Sequence, residues 1–383
     1  MNTVPLGEVI VPARVIRAGH QDFPVLSMTM HDGLVPQADR FKKRIASAST
    51  QDYKVVQRGQ LVVGFPIDEG VLDVQDLYNQ AIVSPAYGVW NLTSSDLVDS
   101  RYLIKFLRSP KALTYYKAKL QGSTARRRSL PASVFLELPV FLPPLSEQRR
   151  IAAILDKADA IRTKRRQILA QLGELKVSLF DSMFSGKGYA TAPLNDVCLR
   201  RGEYGSTVAS TEISDDLPRY VRITDIQEDG NLSSEVRGPA GASSEWNRYL
   251  LNDGDILFAR SGATVGKTFL YRNSDGPCVF AGYLIRFVPN TKLVDPAFLY
   301  SFTRTSRYKA WVAARQNVVA QPNINAKQYG SELMVPLPPI EYQKEFTRRV
   351  RAIDNMSVNV KEILEHDDAL FASLQSRAFK GEL

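Results

Sequence analysis

Leu142-Pro143-Pro144-Leu145-Ser146-Glu147-Gln148-Arg149-Arg150-Ile151 stands near the middle of the chain, and a second copy of this stretch stands near its end. The copy is Leu337-Pro338-Pro339-Ile340-Glu341-Tyr342-Gln343-Lys344-Glu345-Phe346, shifted from position 142 to position 337, an offset of 195. In both copies a proline pair stops a β-rich segment, and apolar residues at helical spacing follow. The stretch therefore predicts that a long helix begins at equivalent points of two repeats.

The repeat extends over the whole chain. Leu179 and Leu374 keep the same offset, and the chain start, Pro5-Leu6, corresponds to Pro193-Leu194. A period this long, present twice, indicates two copies of a domain-sized unit rather than a solenoid. We predict a first domain at residues 1–142, a first long helix at 143–188, a second domain at 189–337 and a second long helix at 338–383.

The first helical segment carries an apolar stripe at alternating steps of three and four, which is the pattern of a coiled-coil seam. Arg165 interrupts it, and Arg349 and Asp367 interrupt the second stripe. We predict that the helices pair, antiparallel if a pseudo-two-fold axis relates the halves; packing of each helix on its own domain is the alternative. The stripes include Ile151, Ile154, Ile161, Ile168, Leu172, Leu175, Leu179, Phe346, Ile353, Met356, Val360, Ile363, Leu370 and Leu374.

The regions before the helices predict an α+β fold. Residues 60–65, 255–259 and 283–288 are short and β-rich, whereas residues 102–108 and 298–304 have a helical pattern. The chain of 383 residues, 44% hydrophobic and 23% charged, is long enough for two or three globular domains. No apolar run approaches the roughly 20 residues of a membrane span, and residues 1–31 contain no signal-peptide pattern, so we expect a cytoplasmic protein.

Two functional classes are disfavoured by composition. Two cysteines, Cys198 and Cys278, exclude a disulfide framework and a four-cysteine zinc site, and the three histidines lie far apart in the chain. No Ser-His-Asp set, Cys-His set or dinucleotide fingerprint is present, so we predict no catalytic residue and no metal site. The net charge of +9 favours a polyanionic partner.

A glycine-rich segment at residues 261–268, Ser-Gly-Ala-Thr-Val-Gly-Lys-Thr, invites comparison with a P-loop. It has three residues between the glycines where a P-loop has four, and the following segment is typical of a strand rather than a helix. We therefore interpret it as a hairpin loop with an exposed backbone and an exposed Lys267. Such a loop suits close approach to a ligand or a phosphate backbone.

Two basic clusters lie outside the long helices: Lys42-Lys43-Arg44 and Arg126-Arg127-Arg128. The second corresponds, by the offset of 195, to Gln321-Pro322-Asn323. Arginine bonds guanine in bidentate fashion, as glutamine and asparagine bond adenine. Both clusters are therefore either DNA contacts or ordinary solvated surface.

The whole chain resembles the specificity (S) subunit of type I restriction–modification systems, on the strength of the repeated helix-opening motif. The loop at residues 260–267 and the segment Ala320-Gln321-Pro322-Asn323-Ile324-Asn325 are similar to parts of that family's recognition domains. The resemblance implies two target-recognition domains joined by two long helices that form an antiparallel coiled coil. Each domain would recognise one half of a bipartite double-stranded DNA target, and the helices would set the gap between the halves.

The resemblance also implies partners and site residues. Two methyltransferase (modification) subunits would dock on the helices and recruit restriction subunits. S-adenosylmethionine, ATP and Mg would bind those partners and no cofactor would bind this chain. Gln148, Gln343 and the stripe residues would serve as spacer and docking residues. The DNA-binding residues would be Lys42, Lys43, Arg44, Arg126, Arg127, Arg128, Arg260, Ser261, Thr264, Lys267, Gln321 and Asn323.

Three alternatives remain at this point. The same fold could serve a related phage-defence or solitary methylation complex, which the neighbouring genes would reveal. The chain could be a coiled-coil scaffold for proteins alone. It could also be an enzyme whose site has no visible sequence pattern, in which case the purified chain would turn over a substrate by itself.

Overall fold

A computed structural model describes residues 3–30, 32–40, 50–121, 130–316 and 322–383. The chain divides into two compact units, one made of residues 1–165 with 363–383 and the other of residues 166–362. Each unit thus contains one predicted domain together with parts of both long helices, so the units cut across the four predicted segments. Among the described helices, none combines the length and the apolar character needed to cross a membrane.

The first unit is built around a four-stranded antiparallel sheet in the order Ile10–Pro12, Gly88–Leu92, Leu61–Val63, Leu72–Val74. Three antiparallel pairs surround it: Thr3–Pro5 with Pro139–Phe141, Leu26–Thr29 with Gly33–Pro36, and Lys54–Gln57 with Gln80–Val83. Its helices are Gln37–Arg40, Ser100–Leu107, Pro110–Lys119, Ala132–Leu136 and the 3-10 turns Leu6–Glu8 and Ile67–Glu69. The first long helix, Leu145–Phe184, begins in this unit.

The second unit repeats the four-stranded sheet in the order Glu203–Tyr204, Leu284–Phe287, Ile256–Ala259, Thr268–Leu270. Thr191–Pro193 pairs with Met334–Pro336, Ser210–Glu212 with Arg237–Pro239, and Arg219–Val221 with Cys278–Phe280. Its helices are Ser243–Trp246, Pro296–Phe302, Ser306–Gln316, Ala326–Glu332 and the start of the second long helix, Ile340–Ala378. The 3-10 turns are Leu194–Val197, Asn247–Tyr249, Gly262–Thr264 and Asn273–Asp275.

Strand register shows the duplication directly. Val4 lies opposite Val140 in the first unit, and Ala192 lies opposite Val335 in the second. Val140 and Val335 differ by the offset of 195, and Val4 and Ala192 differ by 188, as Pro5-Leu6 and Pro193-Leu194 do. A further strand keeps its partners in both copies. Ile82 lies opposite Val25 in parallel and opposite Val55 in antiparallel pairing, and Val279 lies opposite Tyr220 in parallel and opposite Leu250 in antiparallel pairing. The predicted α+β class and the internal repeat are confirmed.

The two repeated glutamines join each long helix to the domain that precedes it. The Gln148 side chain is fully buried; its Oε1 accepts from the Asp99 N–H at 2.9 Å, and its Nε2 donates to the carbonyls of Leu97 (2.9 Å) and Pro143 (2.8 Å). These bonds satisfy backbone groups that would otherwise be buried without partners. The spacing of the glutamine after the proline pair therefore fixes how the helix leaves the domain.

Gln343 repeats this arrangement in the second unit. It is also fully buried, accepts from the Asp295 N–H at 2.9 Å and donates to the carbonyls of Leu293 (3.2 Å) and Pro338 (2.8 Å). The predicted role of both glutamines in the spacer takes this concrete form. Neither side chain faces outward, so a direct role in docking another subunit does not fit their burial.

The long helices pair in antiparallel fashion within each unit. In the first unit Arg162 bonds Asp368 and Arg165 bonds Asp367 at 3.4 Å, so rising numbers on one helix face falling numbers on the other. In the second unit Lys176 bonds Asp354 at 2.9 Å and Phe180 packs on Phe346 at 5.5 Å, so the two helices again run in opposite directions. The pairing prediction is confirmed, and the polar interruptions Arg165 and Asp367 are partners of one another rather than breaks in the pairing.

The end of each long helix packs on the domain of the other repeat, so the alternative, packing of each helix on its own domain, does not describe these ends. Phe379, at the end of the second helix, packs on Tyr102 and Phe106 in the first unit, with ring centroids 5.7 and 5.1 Å apart. Phe184, at the end of the first helix, packs on Phe298 at 5.0 Å in the second unit. Buried aromatic pairs of this kind contribute beyond their area, and they fix the ends of the paired helices.

Candidate nucleic-acid interface and helix surface

The glycine-rich segment is a hairpin loop. It connects the strand Ile256–Ala259, buried along its length, to the strand Thr268–Leu270, and contains the 3-10 turn Gly262–Thr264. The strand after Lys267 is confirmed, and a P-loop, which needs a helix at that point, is excluded. The strand register places this loop at one end of the four-stranded sheet, where the strand Glu203–Tyr204 also ends.

Arg260 is held by backbone and side-chain contacts at that end of the sheet. Its N–H donates to the carbonyl of Tyr283 at 3.1 Å, and its carbonyl accepts from the N–H of Ile324 at 2.8 Å. The guanidinium lies over the Tyr204 ring at 4.8 Å, and its Nε donates to the Asn323 Oδ1 at 3.4 Å. Because stacking and one hydrogen bond fix the plane of the guanidinium, its terminal nitrogens point in a defined direction.

Two tyrosines that sequence reasoning missed lie at the same end of the sheet. Tyr204 ends the strand Glu203–Tyr204 and is 40% exposed, and Tyr283 precedes the strand Leu284–Phe287 and is 61% exposed. The Tyr204 hydroxyl accepts from the Ala326 N–H at 3.1 Å. Each tyrosine is next to a glycine in the sequence, which was the available signal.

The predicted exposure of Lys267 is wrong. Its side chain is 23% exposed, its ammonium pairs with Glu228 at 2.8 Å, and it also donates to the Ile226 carbonyl at 3.3 Å. The pair holds the pKa of Glu228 below its usual range, chiefly through the hydrogen bond from Lys267. The carboxylate therefore stays charged at neutral pH and holds the Lys267 ammonium in an ion pair.

The remaining predicted DNA-binding residues fall into two groups. Thr264 donates its hydroxyl to the Ser261 carbonyl at 3.1 Å, while Ser261 forms an isolated bridge with Asn323 that joins the loop to the following segment. Asn323 is exposed. The other group lies outside the described residues: Lys42, Lys43, Arg44, Arg126, Arg127, Arg128 and Gln321.

The equivalent hairpin of the first unit has a different surface. Its strands Leu61–Val63 and Leu72–Val74 are joined by residues 64–71, Gly-Phe-Pro-Ile-Asp-Glu-Gly-Val, which include no basic residue. Phe65 is 54% exposed in this loop. The two copies therefore place the same loop on the same framework with unlike chemistry. Among the described residues, no cluster of three or more His, Cys, Asp or Glu side chains is placed to hold a metal ion.

The predicted helix stripes divide between a buried seam and an exposed face. One heptad series, which includes Leu172 and Leu179 on the first helix and Val360 and Leu374 on the second, is half-buried on the seam. Ile353 is buried there as well. Arg162, Leu169 and Lys176 complete the seam of the first helix, one position beyond the predicted residues.

The other heptad series is wrongly assigned to the seam. Its members are exposed by 37–56% and occur at the same offset of 195 on both helices: Ile161, Ile168, Leu175, Met356, Ile363 and Leu370. In the first unit Ile161 and Leu370 lie at the level of the Arg162–Asp368 pair; in the second, Leu175 and Met356 lie at the level of the Lys176–Asp354 pair. We call these two pairs the apolar patches. Ile154 is half-buried, and Ile151 and Phe346 belong to the domain cores.

The sequence matches a family described as the type I restriction modification DNA specificity domain, over residues 73–174 and 188–366. These two matches cover well over half of the chain, one in each repeat. The chain belongs to this family. The predicted identification as a specificity subunit of a type I restriction–modification system is confirmed at the level of the family.

Two curated relatives illustrate the similarity. The specificity subunit of the type I restriction enzyme MjaVIII of Methanocaldococcus jannaschii is 23% identical over 283 residues, 68% of this chain and 64% of the relative. The specificity subunit of the EcoBI enzyme of Escherichia coli is 24% identical over 277 residues, 63% of this chain and 58% of the relative. The matches thus span less than two thirds of the length of either relative.

Two solved structures share the fold. One comes from work on complex assembly and conformational transition of the type I R-M system, with a TM-score of 0.60, 15% identity, and coverage of 100% of this chain and 98% of that one. The other is a type I restriction–modification S subunit from M. genitalium, with a TM-score of 0.56, 13% identity, and coverage of 99% and 96%.

Proposed function

We propose that the chain recognises a bipartite DNA sequence on behalf of a type I restriction–modification complex, with each domain recognising one half. The observation that carries the proposal is a repeated framework with divergent loops. Both units keep the sheet order and the glutamine contacts, whereas the hairpin loop at residues 64–71 carries two acidic residues and the loop at residues 260–267 carries two basic ones. Two copies that share a framework and differ in the hairpin loop at one end of the sheet are suited to two different half-sites.

The proposal assigns no catalytic step to this chain. Methyl transfer, with S-adenosylmethionine, and ATP-dependent restriction, with Mg, would belong to partner subunits in the cytoplasm. The chain would supply sequence recognition, and its paired helices, 40 and 39 residues long, would set the gap between half-sites. At 1.5 Å per residue such a helix measures about 60 Å, more than one turn of DNA.

The apolar patches support docking of two modification subunits. Exposed apolar residues at equivalent positions of two repeats would give two equivalent sites, because a contact made by one patch can be made by the other. Ile161 and Leu370 would belong to one site, and Leu175 and Met356 to the other. The duplicated patches therefore favour two copies of one partner over a single asymmetric partner.

Domain exchange tests recognition. Residues 1–140 would be replaced by the first domain of another family member, and the complex with modification subunits would methylate a DNA library. We expect one half of the methylated motif to change while the other half and the gap stay the same. A change in both halves, or in neither, would contradict the assignment of one half-site to each domain.

Paired substitutions test docking. Native mass spectrometry would count modification subunits bound to Ile161→Glu with Leu370→Glu, to Leu175→Glu with Met356→Glu, and to all four together. We expect about one bound subunit for each double variant and none for the quadruple variant. Gln167→Glu, at an exposed position of the same helix, serves as the control. Two bound subunits in every variant would remove the patches from the interface.

A further inference from the structure

One end of the second domain's four-stranded sheet holds an arginine in a position to recognise a base. Arg260 follows the strand Ile256–Ala259, and its backbone is fixed on both sides by the hydrogen bonds to Tyr283 and Ile324. The side chain is further fixed by the ring of Tyr204 and by Asn323. A side chain that is oriented before binding loses little conformational freedom on binding.

In the part of the chain that the structure describes, the terminal nitrogens of this guanidinium have no hydrogen-bond or ion-pair partner, while Nε is directed to Asn323. Other arginines of the unit are occupied: Arg222 pairs with Asp225 and Arg315 with Glu332, both at 2.7 Å. Two parallel N–H donors on a rigid plane match the O6 and N7 acceptors of guanine in the major groove.

We propose that Arg260 recognises a guanine in the half-site of the second domain, with Tyr204 and Asn323 as positioning residues. This inference rests on the proposed function in DNA recognition and adds the base and the residue. The corresponding loop of the first domain, residues 64–71, contains no arginine or lysine. This hairpin loop therefore supplies an arginine in the second domain and not in the first.

A phosphate contact is the rival role for Arg260, and it predicts a different result. Loss of a phosphate contact weakens binding equally on all sequences and lowers the salt dependence by about one charge. Loss of a bidentate guanine contact relaxes specificity at a single base pair, by about ten- to a hundredfold against the wrong base. The two roles are thus separated by the motif and not by the affinity alone.

The positioning role of Tyr204 has its own signature. Tyr204→Phe keeps the ring under the guanidinium and removes only the hydroxyl that accepts from Ala326. Tyr204→Leu removes the stacking surface. We expect the first variant to keep the motif and the second to relax the same base pair as Arg260→Ala. A merely structural role would lower the yield of folded complex without changing which base pair is specified.

The test is methylation of a randomised DNA library by the complex carrying the unaltered chain, Arg260→Ala, Arg260→Lys or the Tyr204 variants, followed by sequencing of the methylated sites. Arg260→Ala and Arg260→Lys should both relax one G·C pair in the second half-site, because a lysine keeps the charge but not the fork. Arg248→Ala is the matched control, since Arg248 also lies over a tyrosine ring, Tyr249, at 4.6 Å in this unit.

The outcomes distinguish this inference from the proposed function. A bipartite motif with no position altered by the Arg260 variants would overturn the guanine assignment while recognition by two domains stands. A uniform loss of affinity with an unchanged motif would assign Arg260 to a phosphate. The absence of any motif with the unaltered chain would contradict the proposed function itself.

Discussion

The glutamine contacts at the domain–helix junctions give a quantitative prediction. Gln148→Ala removes one acceptor and two donor interactions of a fully buried side chain, leaving the Asp99 N–H and the carbonyls of Leu97 and Pro143 without their partner at a partly buried site. Each buried group left unsatisfied costs about 1–3 kcal/mol, and some water entry offsets part of it, so the sum is about 3 kcal/mol. For a unit of this size we expect the melting temperature to fall by about 6–12 °C.

Thermal unfolding of the full chain, followed by circular dichroism, measures this effect. Gln148→Glu tests the donors specifically, because it keeps an acceptor for the Asp99 N–H but turns a carboxylate oxygen toward two carbonyls. It should destabilise at least as much as the alanine variant. Gln343→Ala should behave like Gln148→Ala, and Gln167→Ala, at an exposed helix position, should change little. A loss below about 1 °C for Gln148→Ala would refute the reasoning.

Three further predictions concern the loop and the helix seam. Gly266→Ala should destabilise the chain by at least about 1–3 kcal/mol in denaturant unfolding, because φ is +85° there and a Cβ would meet a valine methyl at 2.6 Å; an unchanged midpoint would contradict the loop geometry. Glu228→Gln should release Lys267 from its ion pair, tighten DNA binding by the complex at low salt and raise the slope of the salt dependence by about one. Because the pKa of Glu228 is lowered, the ion pair of the unaltered chain persists unless the pH falls below the ordinary range of a glutamate. Unaffected DNA binding would mean that the lysine faces away from DNA. Asp367→Leu alone should destabilise by about 1–2 kcal/mol because Arg165 loses its partner at the seam, whereas Asp367→Leu with Arg165→Leu should recover most of the loss; equal losses in urea unfolding would show that the pair is unimportant.

Local patterns predicted the architecture well. The proline pair and the following heptads placed the long helices within a few residues, since a helix start and its apolar periodicity depend on neighbours in the sequence. The first long helix begins at Leu145, directly after the proline pair. Sheet order was not predictable, since many strands have three or four residues and the pairing joins distant segments.

The helix surface shows where periodicity falls short. Each long helix carries more apolar positions than one seam can bury, so the pattern could not distinguish Leu172, which lies half-buried, from Leu175, which lies exposed. The choice depends on the rotation of each helix against its partner. The ion pair of Arg165 with Asp367 was equally hidden, because its members looked like two separate interruptions of the stripes.

The candidate interface shows the same limit for contacts between distant residues. The resemblance to the family's recognition domains predicts Arg260 and Asn323 as DNA-binding residues, but it does not indicate the Tyr204 ring below the arginine, which lies 56 positions earlier in the chain. Glu228, which occupies Lys267, lies 39 positions before it. Both partners are set by the sheet and its loops, and no local pattern indicates them.

The most direct test of two domains recognising one interrupted target is the methylome of a host that expresses this chain with its cognate modification subunit. Long-read sequencing that detects methylated bases would give every modified site in the genome. We predict a single motif of two unlike specified halves, separated by a constant number of unspecified base pairs, with methylation in both halves. An uninterrupted motif, two motifs found independently of each other, or no sequence preference would contradict the account.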